Sequence, residues 1–240
     1  MALVLAGGTA SRMGRPKQFI DLLGVPALLY ALRAFEKTPE VNRIYAVGNC
    51  PRIAYLVEEA GISKYAGCAP PGESRSLSTR SGLSMLADLG PEAVVLVHDG
   101  SRCLVTPDLV RRVVAAVGGD AGAGGAVPAL PVSDTIKVAE DGAVLKTLDR
   151  TKLRAVQTPQ AFRLGLLRKA YAGPEERLRA ATDDASLVER AGGRVLVVAG
   201  EKTNIKLTSP EDLVLAEALL SARANVSENT RHGVWNRARK

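Results

Sequence analysis

The chain has 240 residues, 46% hydrophobic and 24% charged, which excludes wholesale disorder and leaves room for one sizeable α/β domain. Three scattered cysteines (Cys50, Cys68, Cys103) and two histidines (His98, His232) show no metal-ligand spacing; reduced thiols are expected, without a disulfide framework or a zinc site. The net charge of +7 gathers at the end, where residues 222–240 hold Arg223, Arg231, Arg237, Arg239 and Lys240 against Glu228. The body is thus only mildly basic, suited to small anions rather than nucleic acid. No run approaches the roughly 18 apolar residues that span a bilayer, and the opening has no basic n-region, so a cytoplasmic chain without a membrane partner is expected.

The opening ALVLAGG is a short apolar run ended by glycines, the pattern of a buried parallel strand. Helical spacing follows from Pro26, then a strand over 43–48 and a helix over 51–60 with proline in its first turn. A helix over 76–89 leads to the apolar strand AVVLV at 93–97, which runs into His98-Asp99. A helix over 107–117 and a small-residue strand near 123–127 come next. Between 133 and 157 the rhythm changes: two half-polar stretches flank Glu140-Asp-Gly, a turn signal. Such a hairpin cannot bury itself and leans on something else, so it reads as a protruding arm for dimerisation. Helices over 164–171 and 183–191, a strand over 194–198 and a last helix from Pro210 to about 222 complete a domain spanning 1–222; the basic segment 223–240 reads as a structureless tail. Strands alternating with helices imply a Rossmann-like, mostly parallel sheet flanked by helices, with ligands beyond the carboxyl ends of the strands.

Three clusters fall where that rule places chemistry. In LAGGTASRMGRPKQF, Gly7 and Gly8 let the backbone approach a phosphate, and Arg12 and Lys17 add fixed charge. This is neither a Walker A loop nor G-x-G-x-x-G, and a glycine turn beside two solvated cations is the plain alternative. In VVLVHDGSR, Asp99 at a strand end suits a divalent cation such as Mg²⁺ shared with phosphate oxygens, whereas His98 reads as a structural histidine. In TNIKLTSPEDL, the Ser209-Pro210 pair with Asp212 starts a helix, and Lys206 lies just before it as a further cation.

Taken together, these segments resemble the sugar-phosphate nucleotidyltransferases. LAGGTASRMGRPKQF is similar to their L-A/G-G-x-x-x-R-M-G…P-K opening, and PPGESRSLSTRSGL, VLVHDGSR, PVSDTIK, TLDRTKLRAVQTPQAF, ATDDASLVE and NIKLTSPEDL continue the likeness in order. Ala10 stands for a loop glycine, Gly100-Ser101-Arg102-Cys103 for A-A-R-P, and Pro71 for a glycine before Gly72. The resemblance implies CMP transfer from CTP to a polyol phosphate, methylerythritol phosphate of the non-mevalonate isoprenoid pathway, with ribitol 5-phosphate as the alternative acceptor and an inactive nucleotide binder as the alternative class. It implies catalytic roles for Arg12, Lys17 and Lys206 and triphosphate binding by Gly7 and Gly8. Gly72, Glu73 and Ser78 would read cytosine, with Arg75 nearby. Asp99 would meet the metal or the substrate, and Arg102 the substrate. Thr135, Arg150 and Thr182 would complete the sugar-phosphate pocket, the first two reaching it from the arm of the other subunit in a homodimer.

Overall fold

The computed structural model describes residues 1–8 and 16–237, with side chains to Asn225. In chain order the elements are β1 (Ala2–Ala6), β2 (Asp21–Leu22), β3 (Val25–Pro26), α1 (Ala27–Glu36), β4 (Ile44–Gly48), α2 (Cys50–Glu59), β5 (Tyr65–Ala69), α3 (Arg75–Leu83), β6 (Val94–Asp99) and α4 (Pro107–Gly118). They continue with β7 (Gly125–Pro131), β8 (Lys137–Glu140), β9 (Ala143–Thr147), β10 (Arg154–Val156), β11 (Gln160–Arg163), α5 (Leu164–Tyr171), α6 (Glu175–Arg179), α7 (Asp184–Arg190), β12 (Val195–Ala199) and α8 (Pro210–Arg237).

The central sheet runs β5–β4–β1–β6–β11–β7, with β10 continuing β11 along one edge of β7 and β12 on its other edge. Strands β5, β4, β1 and β6 are mutually parallel, β11 enters antiparallel between β6 and β7, and β10 pairs antiparallel with β7. The expected mostly parallel α/β fold is therefore present. Side chains alternate between the sheet's two faces. Val4, Ala46 and Leu96 pack with Leu28, Leu32, Val110 and Val113 on one face, and Leu3, Val47 and Val97 with Leu77, Leu83 and Leu167 on the other. Burial on both faces explains why these strands read as unbroken apolar runs, each large side chain contributing about 1.5–3 kcal/mol.

Local chemistry sets the helix starts. Asn49 Oδ1 accepts the Arg52 N–H at 3.2 Å, and Thr106 Oγ1 accepts the Leu109 N–H at 3.1 Å, each ahead of a proline in the first turn. At α8, Asp212 Oδ2 accepts the N–H groups of Thr208 at 2.7 Å and Ser209 at 2.8 Å, the reciprocal half of the predicted cap. The β8–β9 hairpin turns through Asp141 and Gly142, both with positive φ (49° and 80°), as a two-residue primed turn requires. All of β9 is exposed, including Val144 and Leu145.

Two expectations are corrected. Cys50 and Cys68 form a disulfide rather than remaining reduced thiols, while Cys103 is free and buried. The parallel pairing of β4 and β5 brings the start of α2 beside Cys68, with Cα atoms 5.5 Å apart, a proximity that linear spacing does not reveal. The last helix continues to Arg237 instead of giving way at 222. Only Gly233 interrupts a segment free of proline, so nothing local ends the helix earlier.

Candidate active site

The site forms where β1 and β6 end side by side, with Leu5 opposite Asp99 in the parallel register. To one side of β1 lies β4, to the other β6, so this is a switch point of the winding. Gly7 and Gly8 leave β1 here. The buried Gln18 side-chain amide donates to Ala6 O at 2.6 Å and reaches Gly8 O at 3.5 Å. A Cβ on Gly7 would lie 2.3 Å from Pro71 Cβ, so the glycine exists for close approach to the segment after β5. Pro71 departs from the usual motif, yet it is the residue that closes this contact.

That segment is pinned from α3. Ser78 Oγ accepts the Gly72 N–H at 3.1 Å and donates to Ser74 O at 2.9 Å, so it fixes the loop's backbone. Gly72 is again required sterically, since a Cβ there would fall 2.5 Å from Leu77 Cβ. Glu73 turns outward to Arg179 at 2.6 Å.

Asp99 is the electrostatic centre. Its Oδ1 accepts from Arg75 Nε at 2.8 Å and its Oδ2 from Lys206 Nζ at 2.7 Å. Burial alone would raise its pKa; the two cations outweigh that effect and hold the carboxyl well below the usual range. Arg75 also meets the fully buried Asp184, Nη1 to Oδ2 at 2.7 Å. The Lys206 segment is stitched down by Leu207 N–H to Ser101 O at 2.9 Å, Arg102 Nη1 to Asn204 O at 2.8 Å and Asn204 Nδ2 to Thr158 O at 2.8 Å. Lys17 joins it by donating to Thr208 O at 3.3 Å.

His98 plays the expected structural part. Its Nε2 lies 3.1 Å from Arg102 O and its Nδ1 3.1 Å from Thr158 Oγ1, which itself accepts the Asp99 N–H at 3.0 Å. Nε2 is therefore the protonated nitrogen of a neutral ring. Burial depresses its pKa to about 4.

The structure thus gathers Gly7, Gly8, Lys17, Gly72, Ser78, Asp99, Arg102 and Lys206. Thr182 is exposed two residues before Asp184. Thr135 and Arg150 stand exposed at the root of the hairpin, and among the described residues neither bonds to the Asp99 cluster; Arg150 instead donates to Ser133 O. Arg12 lies outside the described residues. Sequence reading missed Gln18, Asp184 and Asn204, and it left Arg75 without a role. The one available signal was the second aspartate of Thr182-Asp-Asp, since Asp183 alone caps α7.

Among the described residues no three His, Cys, Asp or Glu side chains come together as a metal site. A hard divalent cation needs only one or two carboxylates when phosphate oxygens fill its remaining positions. Asp99 would be the carboxylate that holds such a cation, through the Oδ2 that pairs here with Lys206.

A glycine turn and cations on a strand-end carboxylate, at the switch point of a doubly wound sheet, fit an enzyme of the nucleotidyltransferase class. The profile of the 2-C-methyl-D-erythritol 4-phosphate cytidylyltransferases matches residues 1–222, and the chain belongs to that family. It is 66% identical over 223 residues to the cytidylyltransferase of that name from Rubrobacter xylanophilus, covering 93% of this chain and 95% of the relative. Its likeness to the Pelotomaculum thermopropionicum protein of the same name is 45% over 231 residues, covering 92% of this chain and 94% of that one. Among solved structures, the Thermus thermophilus enzyme superposes with a TM-score of 0.72 at 35% identity, covering 91% of this chain and 97% of that one. The Francisella tularensis enzyme superposes with a TM-score of 0.77 at 28% identity, covering 90% and 97%.

Proposed function

We propose that the chain transfers the cytidylyl group of CTP to 2-C-methyl-D-erythritol 4-phosphate and releases pyrophosphate, a step toward isoprenoid precursors outside the mevalonate route. The observation that carries this reading is the pairing of Lys206 with Asp99 at the end of β6, next to the Gly7–Gly8 turn that leaves β1, with Lys17 bonded to Thr208 O in the Lys206 segment and a histidine whose two nitrogens are both engaged. A phosphate monoester, with its second pKa near 6, is already mostly dianionic at neutral pH and needs no general base. One of its oxygens attacks the α-phosphorus and forms the new P–O bond. The bond from that phosphorus to the α,β-bridging oxygen breaks, and pyrophosphate leaves with the electron pair; no proton has to move.

Two anions must meet and charge builds at the α-phosphorus, so the site works by positioning and electrostatic stabilisation. Arg12 and Lys17 stabilise that charge, Lys206 orients the phosphates, and backbone groups of Gly7 and Gly8 cradle the triphosphate. Gly72, Glu73 and Ser78 form the base side, Glu73 by turning inward from Arg179. Bound Mg²⁺ would neutralise phosphate charge, held by Asp99 and by the substrate itself. Arg102 and Thr182 face the acceptor, with Thr135 and Arg150 supplied by the arm of a second subunit. The exposed Val144 and Leu145 support such an arm exchange. A cytoplasmic setting is part of this reading; among the described residues no helix is long and apolar enough to cross a membrane.

Pyrophosphate release with CTP and Mg²⁺ tests the reading, offering methylerythritol phosphate and ribitol 5-phosphate in parallel. Turnover only with the first is expected. Preference for ribitol 5-phosphate would replace the acceptor, and CTP binding without turnover would overturn the activity.

A further inference from the structure

We propose that Arg75 is a positioning residue for the transfer: anchored on the buried carboxylate of Asp184, its guanidinium fixes Asp99 and couples the base side of the site to the acceptor side. The inference rests on the functional reading above and adds a residue to its machinery.

Arg75 opens α3, directly after Ser74, whose Oγ accepts the Leu77 N–H at 3.2 Å. Asp184 opens α7, two residues after Thr182. Asp184 is itself immobilised: its Oδ1 accepts from Tyr171 Oη at 2.5 Å and from Thr79 Oγ1 at 3.1 Å. Its backbone is set by Gln160, which donates to Asp183 Oδ2 at 2.8 Å and accepts the Ala185 N–H at 3.1 Å. Three helices therefore fix the far end of the guanidinium. Its near end, Nε, holds Asp99 Oδ1 at 2.8 Å.

The pairing uses what arginine alone offers, a rigid planar fork that addresses two carboxylates at once; a lysine presents a single point charge. The two cations on Asp99 also differ in setting. The Arg75 side chain is 27% exposed and begins a helix, whereas Lys206 is 42% exposed on a segment that is neither helix nor strand. Lys206 can leave Asp99 for a phosphate oxygen while Arg75 keeps the carboxylate in place. Any displacement at the start of α7, beside Thr182, reaches Asp99 through just two ion pairs.

The test compares Arg75→Met, Arg75→Lys and the double variant Arg75→Met/Asp184→Asn by initial rates, thermal melts and crystallography. Arg75→Met should lower kcat about a hundredfold, the cost of misplacing a reacting group by about 1 Å, with the CTP KM little changed. Arg75→Lys should not rescue it. Arg75→Met should also melt early, because Asp184 is left as an unpaired buried charge. Removing both charges should restore the melting temperature but not kcat. Recovery of kcat together with stability in the double variant, or an unchanged kcat in Arg75→Met, would reduce the pair to a structural role and overturn the proposal. The crystal structure of the double variant tests the coupling independently of turnover. Asp99 should lose its single side-chain orientation; an unchanged Asp99 overturns the proposal even if wild-type protein proves silent, whereas wild-type silence by itself strikes only the functional reading.

Discussion

Gly7→Ala probes the contact between the Gly7–Gly8 turn and the segment after β5. The added Cβ would lie 2.3 Å from Pro71 Cβ and 3.3 Å from its Cγ. Carbon atoms in contact sit about 3.5–4.0 Å apart, so the two segments must separate by more than about 1 Å. Neither yields easily: Gln18 ties the end of β1 through Ala6 O, and the proline ring is rigid. Gly7 is not among the glycines with positive φ, so the effect is steric rather than conformational. Overpacking of this kind costs about 1–3 kcal/mol of stability, and a shift of that size at a reacting centre costs about a hundredfold in rate. Pyrophosphate release with varied CTP should show that fall in kcat/KM, and chemical denaturation the stability loss. Gly7→Ala/Pro71→Gly deletes the clashing atom and should recover most of both. Gly8→Ala, with nothing among the described residues within 4 Å of its Cβ, should be mild. Near-normal Gly7→Ala, or a double variant no better than the single, would refute the steric account.

Lys17→Ala should cut kcat by about 10²–10³ while changing the CTP KM far less, and equal effects on both would contradict stabilisation of the transition state. Arg150→Ala and Lys17→Ala chains, each inactive alone, should recover about a quarter of wild-type activity on random subunit mixing, since half of the sites in a mixed dimer are intact; mixing verified by native mass spectrometry without recovery would rule out a shared site. The Cys50–Cys68 bridge closes a separation of 18 residues and should contribute about 3 kcal/mol. Denaturation with and without reductant measures it, with Cys50→Ser as a control that should be insensitive. Three titratable thiols in the untreated, denatured protein would refute the bridge.

Much of the scaffold could be read linearly. β1, β4 and β6 announce themselves because strands buried on both faces must be apolar throughout, and α5 falls on the predicted 164–171 because its periodicity is strong. The Glu140-Asp-Gly turn was legible because few residues tolerate two successive positive φ angles. The short β5, β10 and β11 were not, since YAGCA, RAV and QAFR carry no apolar run and become strands only through the neighbours that pair with them. α3 stops at Leu83, before a 3-10 turn, where the apolar spacing suggested a helix to residue 89.

The site divides in the same way. Gly7, Lys17, Asp99 and Lys206 stood out because glycines and charges at strand ends and loop edges have a local signature. Gln18, Asp184 and Asn204 have none: a polar side chain looks alike in sequence whether it meets water or a buried partner more than a hundred residues away, as Asp184 meets Thr79. Sequence alone determined the α/β class and the turn chemistry and singled out the charges at strand ends, because propensity, periodicity and charge are properties of neighbouring residues. Tertiary structure alone decided that Cys50 meets Cys68, that Pro71 seats on Gly7, and that Arg75 stands between two carboxylates. Those contacts depend on strand order and register, which assemble segments that the chain keeps far apart.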